Sequence, residues 1–143
     1  MTLEDNKAVV RRFIQEVFVE GREDAADVLL APDFRPHTWA SVEPGIESFK
    51  ATMRRMATLL SDVEMAVEDV IAEADRVAVR LTSTATVTDE FMGVPAAGKQ
   101  YSISEIHVFR LREGRISEHW HVADLMTMMR QLGAFPEPAR PGG

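Results

Sequence analysis

The spacing of apolar residues changes near Asp62 from a helical period to a strand period, and this change restricts the fold more than any other feature of the sequence. Before it, apolar residues recur at three- and four-residue steps from Leu3 to Val19 and from Ile46 to Leu60, which is the helical period. After it, apolar and polar residues alternate, which is the strand period. Helices followed by antiparallel strands predict an α+β domain in which the helices lie on one face of a curved sheet.

Turn signals set the boundaries of the helical half. Gly21 ends the first helix, and a second short helix is predicted from Glu23 to Leu30. The turn-prone segment from Asp33 to Gly45 is expected to be a long loop. Three helices and their connections are therefore predicted to fill the first 62 residues.

The second half is predicted to be mostly sheet, closed by one helix. Its elements are strands around residues 63–67 and 77–87, a loop at Gly93–Gly98, strands Gln100–Arg112 and Arg115–Val122 joined by a tight turn, and a helix Asp124–Leu132. Thr82, Thr84 and Thr86 alternate with apolar neighbours and are expected on the outer face. Residues 1–135 form one predicted domain, and 136–143 are expected to be a disordered tail.

Composition excludes several classes of protein. A chain of 143 residues suits a single domain with one core. Sixteen basic residues against 23 acidic ones give a net charge of −7, which disfavours nucleic acid and anionic membrane surfaces as partners. Without cysteine, disulfides, thiolate metal sites and cysteine nucleophiles are excluded. The polar N-terminus and the lack of a long uncharged apolar run lead us to expect a cytoplasmic protein.

The strand Gln100–Arg112 carries the most informative polar residues. Its odd-numbered positions share one face, where Glu105 and His107 interrupt an apolar stripe that starts at Tyr101. Burying such groups unpaired costs several kcal/mol, so they must be paired or must face a wet cavity. Two interpretations stay open, namely a satisfied polar pair in the core and an acid/base pair in a ligand cavity.

The next strand adds two histidines to the same region. His119 and His121 share a face, and the hairpin is expected to lay them beside His107. Three histidines with a nearby carboxylate can bind a metal ion, but His-x-His often arises by chance. Proton transfer through His121 is the favoured interpretation, and no catalytic metal or cofactor is expected. Asp124 either caps the last helix or contributes a second carboxylate.

A cavity is predicted on the face that carries Tyr101, Glu105 and His107. His37 and Trp39, on the long loop, are candidates for its rim or an ordinary exposed pair. Residues expected to contact a substrate are Tyr101, His37, Trp39, Phe13, Met53 and His119, and Met56 is a further candidate wall. Residues expected to carry chemistry are His121, Asp124, His107 and Glu105. Glycine-rich nucleotide loops and the Gly-x-Ser-x-Gly motif do not occur in the sequence.

The C-terminal third resembles a known family. The segment Ile106–Trp120, then Asp124 and Arg130–Gly133, is similar to the SnoaL-like polyketide cyclases, which are also called ester cyclases. The resemblance continues more loosely back to Val9. It implies the cone-shaped α+β fold of the superfamily that includes nuclear transport factor 2, ketosteroid isomerase and limonene epoxide hydrolase.

The resemblance also implies an activity. SnoaL-like cyclases close a ring in a polyketide methyl ester by intramolecular aldol condensation, without cofactor or metal. Their acid/base aspartate corresponds to His121 here, and their substrate-binding glutamine corresponds to Glu105. His107 corresponds to a histidine of their pocket. The implied partners are a hydrophobic, carbonyl-bearing small molecule and a second copy of the chain, paired through the threonine-rich outer face.

Other functions on the same fold remain alternatives. The fold also carries hydroxylases, isomerases, epoxide hydrolases and non-catalytic binding proteins. An imidazole at His121 is suited to taking and returning a proton near neutral pH. Tyr101, a protonated His107 or a neutral Glu105 are candidates to donate a hydrogen bond to the oxygen of an enolate.

Overall fold

The protein combines four α-helices with a five-stranded, curved and unclosed sheet among the residues described by its computed structural model, which are 1–37 and 43–135. The predicted α+β class is confirmed. Trp39 and the predicted tail, residues 136–143, lie outside the described residues.

The helices follow the predicted apolar periods closely. They are α1 (Leu3–Phe13), a π-helix (Ile14–Val19) that continues α1 without a break, α2 (Glu23–Leu29), α3 (Ile46–Leu59) and α4 (Leu125–Gln131). Thr2 caps α1 through a reciprocal pair of hydrogen bonds with Asp5. Gly21 follows the π-helix with a φ of 69°, a left-handed conformation that glycine adopts without strain. None of the helices in the described part of the chain is long and apolar enough to cross a membrane.

The main sheet has the strand order β1-β7-β6-β3-β2. Its strands are β1 (Leu30–Pro36), β2 (Leu60–Glu73), β3 (Arg76–Val87), β6 (Gln100–Arg112) and β7 (Arg115–Ala123), and a small separate hairpin is formed by β4 (Glu90–Phe91) and β5 (Val94–Pro95). All neighbours in the main sheet are antiparallel except β1 and β7, which are parallel. The long hairpins place β6 and β7 near the middle of the sheet.

The strand β1 corrects the sequence prediction. We expected the segment from Asp33 onward to be a loop, but Leu30–Pro36 pairs with β7 at the edge of the sheet. Pro32 and Pro36 made the segment look turn-prone, although proline is compatible with an edge strand that has one unpaired side. The small hairpin similarly replaces part of the loop predicted at Gly93–Gly98.

Two apolar clusters fill the space between helices and sheet. The first lies under α1, α2 and α3 and includes the fully buried rings of Phe13, Phe49 and Phe109. The second lies towards α4 and includes Tyr101 and Met128. Polar residues occupy the sheet between the clusters, namely Ser83 on β3, Glu105 and His107 on β6, and His119 and His121 on β7. This set of five residues is called the polar layer below.

The outer face of the sheet is more polar but includes large exposed apolar side chains. Thr82, Thr84 and Thr86 alternate with buried residues along β3, as predicted. Ile106 and Val122 lie opposite each other on β6 and β7 and are 53% and 75% exposed. The homodimer implied by the family resemblance stays a prediction.

Candidate active site

A β-bulge in β7 brings the histidines to the inner face of the sheet. Near the β6–β7 turn Leu111 pairs with Ile116, but further along Arg110 pairs with Glu118, so Ser117 is the extra residue. Beyond this shift His121 lies opposite His107, and His119 lies opposite Phe109. Without the extra residue, the even-numbered side chains of β7 would face inward instead.

The polar layer is deeply buried. His107 is 2% exposed, His119 3% and Glu105 9%, whereas His121 is only partly buried. The ring of His121 lies 4.9 Å from that of His107 and 5.4 Å from that of His119, measured between centroids. Because His121 is the most exposed histidine of the layer, it is the one best placed to meet a bound molecule.

Three residues of the layer form one hydrogen-bonded series. Glu105 Oε1 lies 2.7 Å from His107 Nε2, and His107 Nδ1 lies 2.8 Å from His119 Nε2. The centroids of the two histidine rings are 5.1 Å apart, and the rings are tilted by 12°. This separation requires both nitrogens to lie almost on the line between the rings, so the rings meet edge to edge. Glu105, His107 and His119 are called the buried triad below.

The buried triad leaves His107 no nitrogen for a substrate. Nε2 bonds to Glu105 and Nδ1 bonds to His119. The expectation that His107 itself exchanges protons with a substrate, or donates to an enolate oxygen, therefore does not match its bonds. His107 supports the groups on either side of it.

The aromatic ring of Phe18 covers the bond between the two histidines. Its centroid lies 5.7 Å from the ring of His107 and 5.7 Å from that of His119. Phe18 also packs edge-on against Phe13 at 4.8 Å. In a regular α-helix, residues five apart point in different directions, but the wider turn of the π-helix brings positions 13 and 18 to the same side. The apolar period of the sequence indicates Phe18 only as part of a regular helix. It does not indicate that the Phe18 ring covers the two histidines.

Burial shifts the pKa values of the layer. Burial, reinforced by the neighbouring His107, lowers the pKa of His121 to about 4, although the Glu105 carboxylate opposes this shift. The pKa of His119 falls well below its usual value for the same main reason, burial. Burial and the charge of Glu105 raise the pKa of Tyr101 to about 12. At neutral pH both β7 histidines are therefore uncharged, and the Tyr101 hydroxyl keeps its proton.

The three histidines raise the question of a metal ion. One nitrogen from each of His107, His119 and His121 lies within 4.8 Å of the others, a grouping that a tris-histidine site requires. However, His107 Nδ1 and His119 Nε2 share one proton in the edge-to-edge bond, so a lone pair of one nitrogen is directed at the other. A metal ion would have to replace that proton, and both rings would have to turn. The geometry favours a shared proton, and the metal-free site stays a prediction.

Asp124 lies at the start of α4 and caps it. Its carboxylate accepts hydrogen bonds from the Thr127 backbone N–H at 3.1 Å and from the Thr127 hydroxyl at 2.7 Å. These bonds lower the pKa of the exposed Asp124 carboxyl. Of the two interpretations of Asp124, the structure favours the helix cap.

His37 lies away from the buried triad. Its ring stacks on Trp120 at 4.7 Å, and its Nε2 lies 2.9 Å from Glu118 Oε1. Trp120 and Glu118 are on the opposite face of β7 from His119. The structure therefore does not bring His37 to the predicted cavity.

The predicted cavity walls are divided between the two apolar clusters. Phe13 is fully buried in the first cluster, where Met53 also packs, and Met56 packs against the second. Phe13 packs against Phe18 and Phe109, and these two rings contact the histidines. Tyr101 also borders an open groove of about 450 Å³, but this groove is lined mainly by outer-face residues, including Thr84, Thr86, Gln100 and Ser102, and by none of the polar layer.

Known proteins are similar to this chain both in sequence and in fold. Residues 8–132 match the family model of SnoaL-like polyketide cyclases, which is most of the chain. The chain belongs to this family. A curated relative, the aklanonic acid methyl ester cyclase DauD of Streptomyces sp. (strain C5), is 26% identical over 135 residues, covering 91% of this chain and 83% of DauD.

Solved structures agree with this SnoaL-like assignment. TsrD from Streptomyces laurentii superimposes with a TM-score of 0.85 and 29% identity, covering 94% of this chain and 99% of TsrD. Wild-type IdmH from Streptomyces antibioticus, a candidate polyketide cyclase, gives a TM-score of 0.76 and 29% identity, covering 93% and 99% of the two chains. The SnoaL-like fold thus accounts for nearly the whole chain.

The polar layer of this chain differs from the pattern that the SnoaL-like resemblance implies. The family resemblance implies an aspartate at the position of His121 and a glutamine at the position of Glu105. Here the carboxylate belongs to β6 and bonds to His107, and the neutral imidazole of His121 lies on β7. The layer therefore keeps a carboxylate but holds it in the buried triad.

Proposed function

We propose that this protein is a cofactor-free enzyme that uses acid/base chemistry on a hydrophobic, carbonyl-bearing small molecule. The reaction best supported is ring closure of a polyketide ester by intramolecular aldol condensation. Membership of the SnoaL-like family and the similarity to DauD support this reaction class. The observation that carries the proposal is the polar layer between two apolar clusters, with His121 as its partly exposed histidine.

His121 is the proposed proton acceptor. Its neutral ring takes a proton from the carbon next to a substrate carbonyl, and the electron pair of that C–H bond forms an enolate. The enolate carbon attacks a second carbonyl of the same molecule, a C–C bond forms, and the new alkoxide takes the proton back from His121. No net proton is gained or lost, and no oxidant, reductant or metal is needed.

His121 is a weaker base than the near-neutral imidazole expected from the sequence, because burial lowers its pKa. An imidazole with a pKa of about 4 resembles a free aspartate, whose pKa is about 3.9. Its protonated form is a strong acid, so it readily returns the proton to the alkoxide. Burial thus gives a histidine the acid/base strength of a carboxylate while leaving it uncharged.

Tyr101 is the proposed hydrogen-bond donor to a polar group of the substrate away from the reacting carbon, since it is six residues along β6 from His107, the residue opposite His121. Its hydroxyl stays protonated, because burial and the charge of Glu105 raise its pKa to about 12. Tyr101 lies on the same face of β6 as Glu105 and bonds to Ser83. A protonated hydroxyl in this position can orient the substrate by donating a hydrogen bond.

A substrate assay separates this proposal from its alternatives. The purified protein would be incubated with aklanonic acid methyl ester, because DauD is named for that substrate, and ring closure would be followed by mass spectrometry and ultraviolet absorption. The expected product is isomeric with the substrate and has lost one carbonyl. A gain of oxygen would support the hydroxylase alternative, and saturable binding without any product would support a binding domain.

Substitution of His121 tests whether the activity depends on this site. His121→Asn keeps the size and polarity of the ring but removes the base, and is expected to abolish most turnover. Full turnover in His121→Asn would contradict the role of His121, whichever substrate is used.

A further inference from the structure

The residue that the proposed function leaves unused is His119. It is 3% exposed, it lies behind His107 as seen from Glu105, and its ring packs against Phe109 at 4.7 Å. Buried polar side chains are kept when their bonds are satisfied, and His119 has one well-defined bond, to His107. Its position suggests that it acts through His107.

The chemistry of the three side chains sets the direction of each bond. An ionised carboxylate only accepts hydrogen bonds, so His107 must donate its Nε2–H to Glu105. The 2.7 Å distance is typical of a bond to a charged group. In the arrangement proposed below, His107 is neutral, its Nδ1 carries only a lone pair, and His119 donates its Nε2–H to that lone pair. In this arrangement both histidines are Nε2–H tautomers.

We propose that His119 is a positioning residue of this site, which holds His107, and through it the Glu105 carboxylate, in one orientation beside His121. The inference rests on the proposed function of His121. It assigns to His119 no contact with a substrate.

Burial makes this arrangement hard to change. Phe18 covers the His107–His119 bond on one side, and Phe109 stacks against His119. In such a low-dielectric setting an unpaired acceptor is costly, so His107 Nδ1 without its donor must bind a proton or turn away. Either change alters the charge or the orientation of the group that holds Glu105.

His121 reports on that change. Two charged or chargeable neighbours act on its pKa, namely His107, which lowers it, and Glu105, which raises it. Both belong to β6, and His119 is the nearest titratable side chain on β7 itself. A change in the orientation or charge of His107 or Glu105 is therefore expected to change the pKa of His121.

Two substitutions of His119 separate positioning from simple packing. His119→Gln keeps an N–H donor close to the position of Nε2, whereas His119→Leu fills a similar volume without any donor. In the full-length protein labelled with ¹⁵N-histidine, His121 is expected to titrate as in the wild type in His119→Gln and to shift by about half a pH unit or more in His119→Leu. An unchanged titration of His121 and an unchanged tautomer of His107 in His119→Leu would overturn the proposal.

The wild-type protein provides a test that does not depend on folding of the variants. Long-range ¹H–¹⁵N spectra are expected to show both His107 and His119 as Nε2–H tautomers, with a scalar coupling across the N–H···N bond. A Nδ1–H tautomer for His119 at neutral pH, or no coupling between the rings, would overturn the assignment.

Kinetics separate failure of this inference from failure of the proposed function. If His119 positions the site, His119→Leu lowers kcat more than it raises KM, and His119→Gln restores most of kcat. If His121→Asn removes activity but both His119 variants keep wild-type kcat, the function of His121 stands and the role of His119 is wrong.

Discussion

His121 is the partly exposed histidine of the otherwise buried polar layer. Its neighbours Glu105 and His107 are held by short hydrogen bonds, so the electrostatic field at His121 is fixed before any substrate binds. Preorganised groups of this kind stabilise charge without rearrangement during the reaction. The chemistry proposed for His121 thus depends on residues that a substrate does not touch.

The pH dependence of turnover follows from the pKa of His121. Proton acceptance needs the neutral ring, and burial lowers its pKa to about 4. We expect kcat/KM to stay on its plateau from neutral pH down to about pH 5 and to fall with a midpoint near pH 4. Steady-state kinetics in mixed buffers would measure this, and an acid limb with a midpoint near 6.5 would indicate an ordinary exposed histidine.

The sequence could place only part of the site at the level of residues. Alternation along β6 correctly predicts that Tyr101, Glu105 and His107 share the inner face. On β7 the side that faces inward depends on the bulge at Ser117, and no local signal in the sequence announces an extra residue there. The in-line bond between His107 and His119 depends on that same offset, so it could not be predicted.

At the level of elements, the π-helix is the feature that adapts the helical layer to the site. It places Phe18 over the two histidines. Phe18→Ala is expected to lower the free energy of unfolding by about 2 kcal/mol, because the ring is partly buried. It should also raise the pKa of His119 by admitting water, which histidine NMR titration would detect.

Phe18→Leu is the matched control for the loss of the apolar cover in Phe18→Ala. Leucine keeps an apolar cover, so the pKa of His119 should remain well below its usual value. Equal titration of His119 in wild type and Phe18→Ala would mean that Phe18 does not shield the pair.

The helix α4 provides a test of Asp124. Asp124→Ala removes the cap and should lower the melting temperature by a few degrees. Asp124→Ser keeps a capping oxygen, so its melting temperature should stay close to that of the wild type. Turnover per folded molecule should be unchanged in both, because the carboxylate is committed to Thr127. A large fall in turnover without a loss of stability would contradict this prediction and would support an acid/base role for Asp124.

The sequence predicted elements well where periodicity was long. The helices α1, α2 and α3 and the strand β6 lie close to the predicted boundaries. It failed at β1, because this short strand contains Pro32 and Pro36 and is stabilised by pairing with β7, which is distant in the sequence. Turn chemistry near β1 was visible in the sequence, but the pairing that overrides it was not.

At the scale of the whole molecule, the buried histidines make stability depend on pH. In the unfolded chain they take up protons near pH 6.5, but burial lowers the pKa of both His119 and His121 in the folded protein. The unfolded state therefore binds more protons below pH 6.5, and the free energy of unfolding decreases as the pH falls. The slope should approach about 1.4 kcal/mol per pH unit for each histidine between pH 6.5 and about 4.5.

Urea denaturation across this range would measure the effect. Surface carboxylates with lowered pKa, such as Glu23, lose their contribution only below their unfolded value of 4.5, so they do not account for a slope above it. His121→Gln should remove about half of the slope. A flat profile between pH 4.5 and 6.5 would contradict the assignment of the two histidines as buried and neutral.

The central claim is that His121 is the proton acceptor of a cofactor-free SnoaL-like enzyme, and comparing two substitutions at this position tests it most directly. His121→Asp supplies a base whose ordinary pKa, about 3.9, is close to that of the native ring, whereas His121→Asn supplies none. With aklanonic acid methyl ester or another cyclised substrate, we predict that His121→Asn lowers kcat by about 100-fold or more and that His121→Asp retains most of it. Equal kcat values for the two variants would contradict the claim.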